Sequence, residues 1–117
     1  MSIEELLEKM SGELGQKPET MELLSKIDEK TVFEHAANKN FAMGGELIPP
    51  KYKLLISIAV GAAMGSEKCT ETYTQIALNK GITKEEILEA LLVTRFIKAT
   101  SVYSAATPAL KKMLETD

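Results

Sequence analysis

Apolar residues recur along this chain at helical spacing rather than in the strict alternation of a half-buried strand. Near the start, Ile3, Leu6, Leu7 and Met10 form a stripe three and four residues apart, and Ser2 followed by Glu5 has the spacing of a capping box. A first helix is expected to about residue 12, ending at Gly12 or Gly15. After a break at residues 15–18, Met21, Leu23, Leu24 and Ile27 support a short second helix with Pro18 in its first turn. Asp28 is placed to cap a third, which carries Val32, Phe33, Ala36, Ala37 and Phe41 and stops at Gly44 and Gly45. Residues 45–50 read as a connector, and Pro50 has the fixed φ that suits the start of the next helix.

From Lys51 to Met64 the run LLISIAVGAAM is apolar nearly all round, so this helix is expected to be the central one, surrounded by protein. Ala59, Gly61, Ala62 and Ala63 present small side chains, which allow another helix to approach closely, from the same subunit or from another copy. Residues 65–81, GSEKCTETYTQIALNKG, have the build of a single helix with Ser66 as N-cap, a body to about Asn79 and Gly81 as the left-handed stop. Thr83, Lys84, Glu85 and Glu86 then form a capping box for a helix expected to bury Ile87, Leu88, Leu91, Leu92 and Phe96. A last segment over residues 99–114 begins small and apolar; Pro108 either kinks it or opens a separate terminal helix with Leu110, Met113 and Leu114. Asn-Gly and Asp-Gly hairpin signals are missing, and Leu, Ala, Lys, Glu and Met dominate, so the fold class is all-α.

Composition narrows the picture further. The 117 residues suit a single domain, 1–117, and 44% hydrophobic with 26% charged residues excludes a disordered chain. A net charge of −3 is too mild, and of the wrong sign, for nucleic-acid binding. One cysteine forms no internal disulfide, the start MSIEELLEKM is charged rather than signal-like, and no apolar run approaches the ~18 residues of a membrane span. A soluble cytoplasmic protein with no membrane partner is expected. The amount of apolar surface on so small an all-helical chain points to a homo-oligomer.

The candidate chemistry gathers on residues 65–81. A Ser66 hydroxyl capping the N–H three residues on would hold Cys69 in the first turn, at the positive end of the helix dipole. A thiolate there is stabilised by unpaired N–H groups, provided the sulfur is not buried in apolar surroundings. The alternative is a small buried hydrophobe. Tyr73 lies one turn along the same face. The lone histidine, His35, sits beside Glu34, and neighbours in a helix face different ways, so the two are no ready dyad; His35 is a surface, interface or ligand-contacting residue. Arg95, the only arginine, either holds an acidic ligand or pairs with a carboxylate at the surface or between subunits. One histidine and one cysteine show no metal-ligand spacing, so neither metal nor cofactor is expected.

The run from Gly45 to about Ala106, with Pro49-Pro50-Lys51 entering an apolar helix, the cysteine helix with Ala77 in register, and then Gly81-Ile82-Thr83-Lys84-Glu85-Glu86-Ile87, resembles the carboxymuconolactone decarboxylase family, which includes the alkylhydroperoxidase D (AhpD-like) proteins. The resemblance implies an AhpD-like helical domain of about six to seven helices, with a family core at about residues 45–106, assembled as a dimer, trimer or hexamer. It also implies peroxiredoxin-type, antioxidant chemistry from a Cys-x-x-Cys-x-x-x-His cluster with a glutamate from the preceding helix. Laid on this chain, the second cysteine is Cys69, the first falls on Ser66, the histidine on Tyr73, and the glutamate at or near Leu54.

Each departure has a chemical consequence. Ser66 forms no disulfide, so oxidised Cys69 needs an outside thiol or a cysteine of another subunit to resolve it. Tyr73, a phenol, is no base at neutral pH, but its hydroxyl donates hydrogen bonds. Leu54 carries no proton. Three functions follow as expectations. One is a one-cysteine oxidoreductase in which Cys69, with Ser66 and Tyr73, acts on a hydroperoxide or disulfide and is regenerated by a thiol reductant. Another is a lyase on a small lactone acid, with a pocket near Tyr73 and a cationic anchor such as Arg95. The third is a non-catalytic oligomeric ligand-binding protein of the same fold.

Overall fold

The computed structural model describes residues 1–116. Among them are seven α-helices and no strand: α1 (Ile3–Leu14), α2 (Glu19–Ile27), α3 (Glu29–Met43), α4 (Pro50–Ala63), α5 (Glu67–Asn79), α6 (Lys84–Ala105) and α7 (Thr107–Leu114). The chain is all-α, as its periodicity implies. It divides into two compact units, residues 1–54 and residues 55 onward, with the boundary inside α4. No described helix is long and apolar enough to cross a membrane.

In the first unit, local chemistry sets the helix ends. The Ser2 hydroxyl accepts the Glu5 N–H at 3.1 Å, and α1 stops where Gly15 turns left-handed and donates its N–H to the Ser11 carbonyl at 2.9 Å. Asp28 caps α3 by accepting the Lys30 N–H at 3.0 Å. Pro18 stands just ahead of α2 rather than in its first turn, because its ψ of 76° is not helical. Ile3, Leu6 and Val32 are buried together, with Leu7, Met10, Met21, Leu24 and Ala36 packed around them. The Lys53 ammonium donates to the carbonyls of Met43, at 2.9 Å, and Gly45, tying the connector to the start of α4.

In the second unit Ile58, Ile76, Ala77, Ile82 and Ile87 are buried. The end of α5 follows from its backbone. Gly81, at φ 87°, donates to the Leu78 carbonyl at 3.1 Å, and the Ile82 N–H reaches the Ala77 carbonyl at 3.0 Å, the paired bonds of a Schellman stop. Thr83 then opens α6 with a full capping box: its hydroxyl accepts the Glu86 N–H at 3.1 Å, and its own N–H donates to Glu86 Oε1 at 3.0 Å.

Burial on two helices differs from what the periodicity implies. The helix α4 is not covered all round: Leu54, Ile58 and Gly61 are buried, whereas Ile56 and Val60, turned away from that stripe, are half exposed. On α6 only Ile87 of the expected set is buried and Leu91 is half-buried, while Leu88, Leu92 and Phe96 are 57%, 58% and 66% exposed. At 100° per residue Ile87, Ala90, Leu91 and Thr94 share one face and Leu88, Leu92 and Phe96 the opposite one, so a single chain covers one side only. The helix also runs unbroken to Ala105, through the segment expected to begin at residue 99, and Pro108 lies in the first turn of the separate α7.

Candidate functional site

The candidate site is built where α4 hands over to α5. Gly65, at φ 73°, donates its N–H to the Ala62 carbonyl at 3.1 Å, and the Ser66 N–H reaches the Gly61 carbonyl at 2.9 Å. This second Schellman stop ends α4 and delivers Ser66 in extended conformation, with φ −87° and ψ 97°, as the N-cap of α5. Its hydroxyl accepts the Cys69 N–H at 3.2 Å, and its carbonyl accepts both the Thr70 N–H at 3.1 Å and the Thr70 hydroxyl at 2.7 Å. Cys69 is therefore the third residue of α5, where the N–H groups of Glu67 and Lys68 have no acceptor within the helix. From α6, the Lys98 ammonium donates to the Ala63 carbonyl, so a third helix reaches this corner.

Cys69 is exposed, which is at odds with a packing role as a small core hydrophobe. Solvent reaches Cys69 in the first turn of α5, beside the N–H groups of Glu67 and Lys68. Tyr73, half-buried, follows one turn along the same side of α5. Ser66 and Cys69 are joined by the capping bond, and Tyr73 stands four residues further along α5. The other two candidates are elsewhere. Arg95 is exposed on α6 and makes no ion pair with a described residue; His35 is exposed on α3, in the unit that does not contain Cys69. Leu54, where the family pattern has its glutamate, is buried.

An open depression of about 630 Å³ lies on the neighbouring face of the first turns of α5. Its wall carries the hydroxyls of Ser66, Thr70 and Thr74 and the carboxylates of Glu67 and Glu71. Neither Cys69 nor Tyr73 lines it, and no lysine or arginine does. Thr70, Glu71 and Thr74 were not singled out from the sequence, although the four-residue spacing of Ser66, Thr70 and Thr74 marks one helix face. Among the described residues, no group of three or more His, Cys, Asp or Glu side chains is placed to hold a metal ion.

Residues 18–112 match the carboxymuconolactone decarboxylase family, and the chain belongs to it. The match begins well before Gly45, so it takes in the second and third helices as well as the cysteine helix. Among curated proteins, none is significantly similar to this chain.

Proposed function

We propose that this member of the family is a one-cysteine, thiol-dependent oxidoreductase. The observation that supports the reading is the placement of Cys69: exposed, in the first turn of α5, with its own N–H held by Ser66. In the proposed cycle the Cys69 thiolate attacks one oxygen of a hydroperoxide and the O–O bond breaks. Sulfur is oxidised to a sulfenic acid, and the other oxygen leaves as alkoxide and takes up a proton to give the alcohol. A thiol from outside the subunit attacks the sulfenic sulfur, expelling water and forming a mixed disulfide. A second thiol displaces Cys69 as thiolate and leaves as the disulfide product. A disulfide substrate enters directly at the mixed-disulfide stage.

Ser66 serves this cycle as the cap that fixes the first turn, and Tyr73 as a hydrogen-bond donor to the thiolate or the leaving oxygen rather than as a base. Arg95 and His35 take no part in it. The reading includes assembly into a homo-oligomer, supported by the bare apolar face of α6 around Leu88, Leu92 and Phe96. Phe96→Glu is then expected to lower the assembly's mass in sedimentation velocity.

The test is the rate of Cys69 alkylation by iodoacetamide at neutral pH in the native protein against the urea-unfolded chain. The native rate is expected to be higher by at least ~10-fold, the gain of a thiolate held at a helix N-terminus. Hydroperoxide consumption with dithiothreitol as reductant is expected to vanish in Cys69→Ser. A native thiol no faster than the unfolded one, or peroxide consumption that survives Cys69→Ser, overturns the reading and leaves a non-catalytic member of the family.

A further inference from the structure

The turn bearing Cys69 is held from behind by a residue with no side chain. Gly61 is buried on α4, two residues before its end, and its carbonyl takes the Ser66 N–H at 2.9 Å. A methyl group built on Gly61 would stand 3.1 Å from Thr70 Oγ1, 3.3 Å from Cys69 Cβ and 3.3 Å from the Thr70 backbone nitrogen. All three distances are shorter than nearly all contacts a Cβ makes in folded proteins, so the neighbours have to give by a few tenths of an ångström. One of the three atoms is backbone, so a rotamer change at Thr70 does not clear the space; the first turn of α5 itself has to give.

We propose that Gly61 is the positioning residue for Cys69: the missing side chain lets α4 seat the thiol against the Ser66 cap. This deepens the redox reading and rests on it. Gly61 touches no substrate. It acts through the Ser66–Cys69 register, because the same residue receives the Ser66 N–H and borders Cys69 Cβ. Pushing the turn outward lengthens the bond from the Cys69 N–H to the Ser66 hydroxyl, already 3.2 Å, and moves the Cys69 side chain off the position that the cap gives it.

Gly61→Ala separates this from a plain packing role, since alanine is the better helix former and would raise the melting temperature if the methyl fitted. The expected result is native Cys69 alkylation slowed at least ~3-fold and a lower melting temperature, while Ile87→Val, a core change on α6, leaves the alkylation rate as it was. Adding Thr70→Ala to Gly61→Ala removes the nearest of the three atoms and leaves the other two, so it is expected to return part of the lost rate. A Gly61→Ala protein that melts higher with an unchanged rate overturns the proposal, as does a double variant no faster than the single one. If Gly61→Ala does not fold but the double variant folds and reacts, the contact is upheld; loss of fold in both makes Gly61 a core residue only and overturns it. The two readings fail separately. A slow wild-type thiol sinks the redox reading, whereas a fast wild-type thiol indifferent to Gly61→Ala sinks this one.

Discussion

The two units of the chain treat their apolar residues differently. In residues 1–54, Ile3, Leu6 and Val32 close a core, and the bare hydrophobes Ile27, Phe41 and Leu47 are scattered over helix ends and the connector. Scattered exposure of that kind is ordinary. From residue 55 onward a core of isoleucines coexists with a run of exposed side chains at helical spacing on one face of α6, Leu88, Leu92 and Phe96, continuing to Tyr103. The first unit leaves its bare hydrophobes on separate elements, whereas the second gathers a run of them on one helix, and it is also the one that carries the exposed thiol.

The largest effects test that contrast directly. Leu6→Ala and Ile58→Ala, at buried positions of the two units, are each expected to cost about 2–5 kcal/mol in urea denaturation. Leu92→Ala, at an exposed position, is expected to change the stability of the chain in dilute solution by no more than about 0.5 kcal/mol. A Leu92→Ala cost as large as that of Leu6→Ala in dilute protein would erase the difference between the units.

Next in size is Gly81→Ala. No atom lies within 4 Å of where its Cβ would stand, so the cost is that of the left-handed backbone alone, about 1–2 kcal/mol by thermal melting. A neutral result would show that the α5–α6 turn relaxes freely and that the second unit is looser than its bonds imply. Thr83→Ala removes the hydroxyl of the α6 capping box and is expected to cost about 1 kcal/mol. Ser2→Ala, the corresponding change on α1, is expected to cost about the same, which makes caps the feature on which the units agree. The smallest effect belongs to Lys39→Ala. Its 3.2 Å pair with Glu13 is partly solvent-exposed, so the loss is expected to stay below about 1 kcal/mol and to shrink further in high salt.

Much of the fold is legible in the sequence for the same reason that the caps agree. Ser2, Asp28, Ser66 and Thr83 each bond a backbone N–H two or three residues away, so each can be read without knowing what lies elsewhere in the chain. The position of Cys69 in the first turn of α5 follows from such a bond. Gly61 shows where that kind of reading stops. Its lack of a side chain marks a place of close approach, but the sequence leaves open whether the neighbour is a helix of the same subunit or of another copy. In the structure the neighbour is the first turn of α5.

The buried side of α6 is beyond local reading for a related reason. Periodicity locates its apolar residues without telling which of them the rest of the chain reaches, and Ile87 and Leu88 are adjacent in sequence but opposite in fate. The depression beside α5 was missed because its hydroxyls and carboxylates are ordinary surface residues until the end of α4 is brought alongside them.

Helix starts, helix stops and the all-α class were already settled by the order of residues, because capping bonds and left-handed glycines act over four residues or fewer. Family membership was legible too, since its motif is a local pattern. Exposure of the thiol, the bare face of α6 and the seat of Cys69 on Gly61 emerged only from the folded chain. Each depends on how residues from different helices meet, and that is a balance of packing that no short stretch of sequence contains.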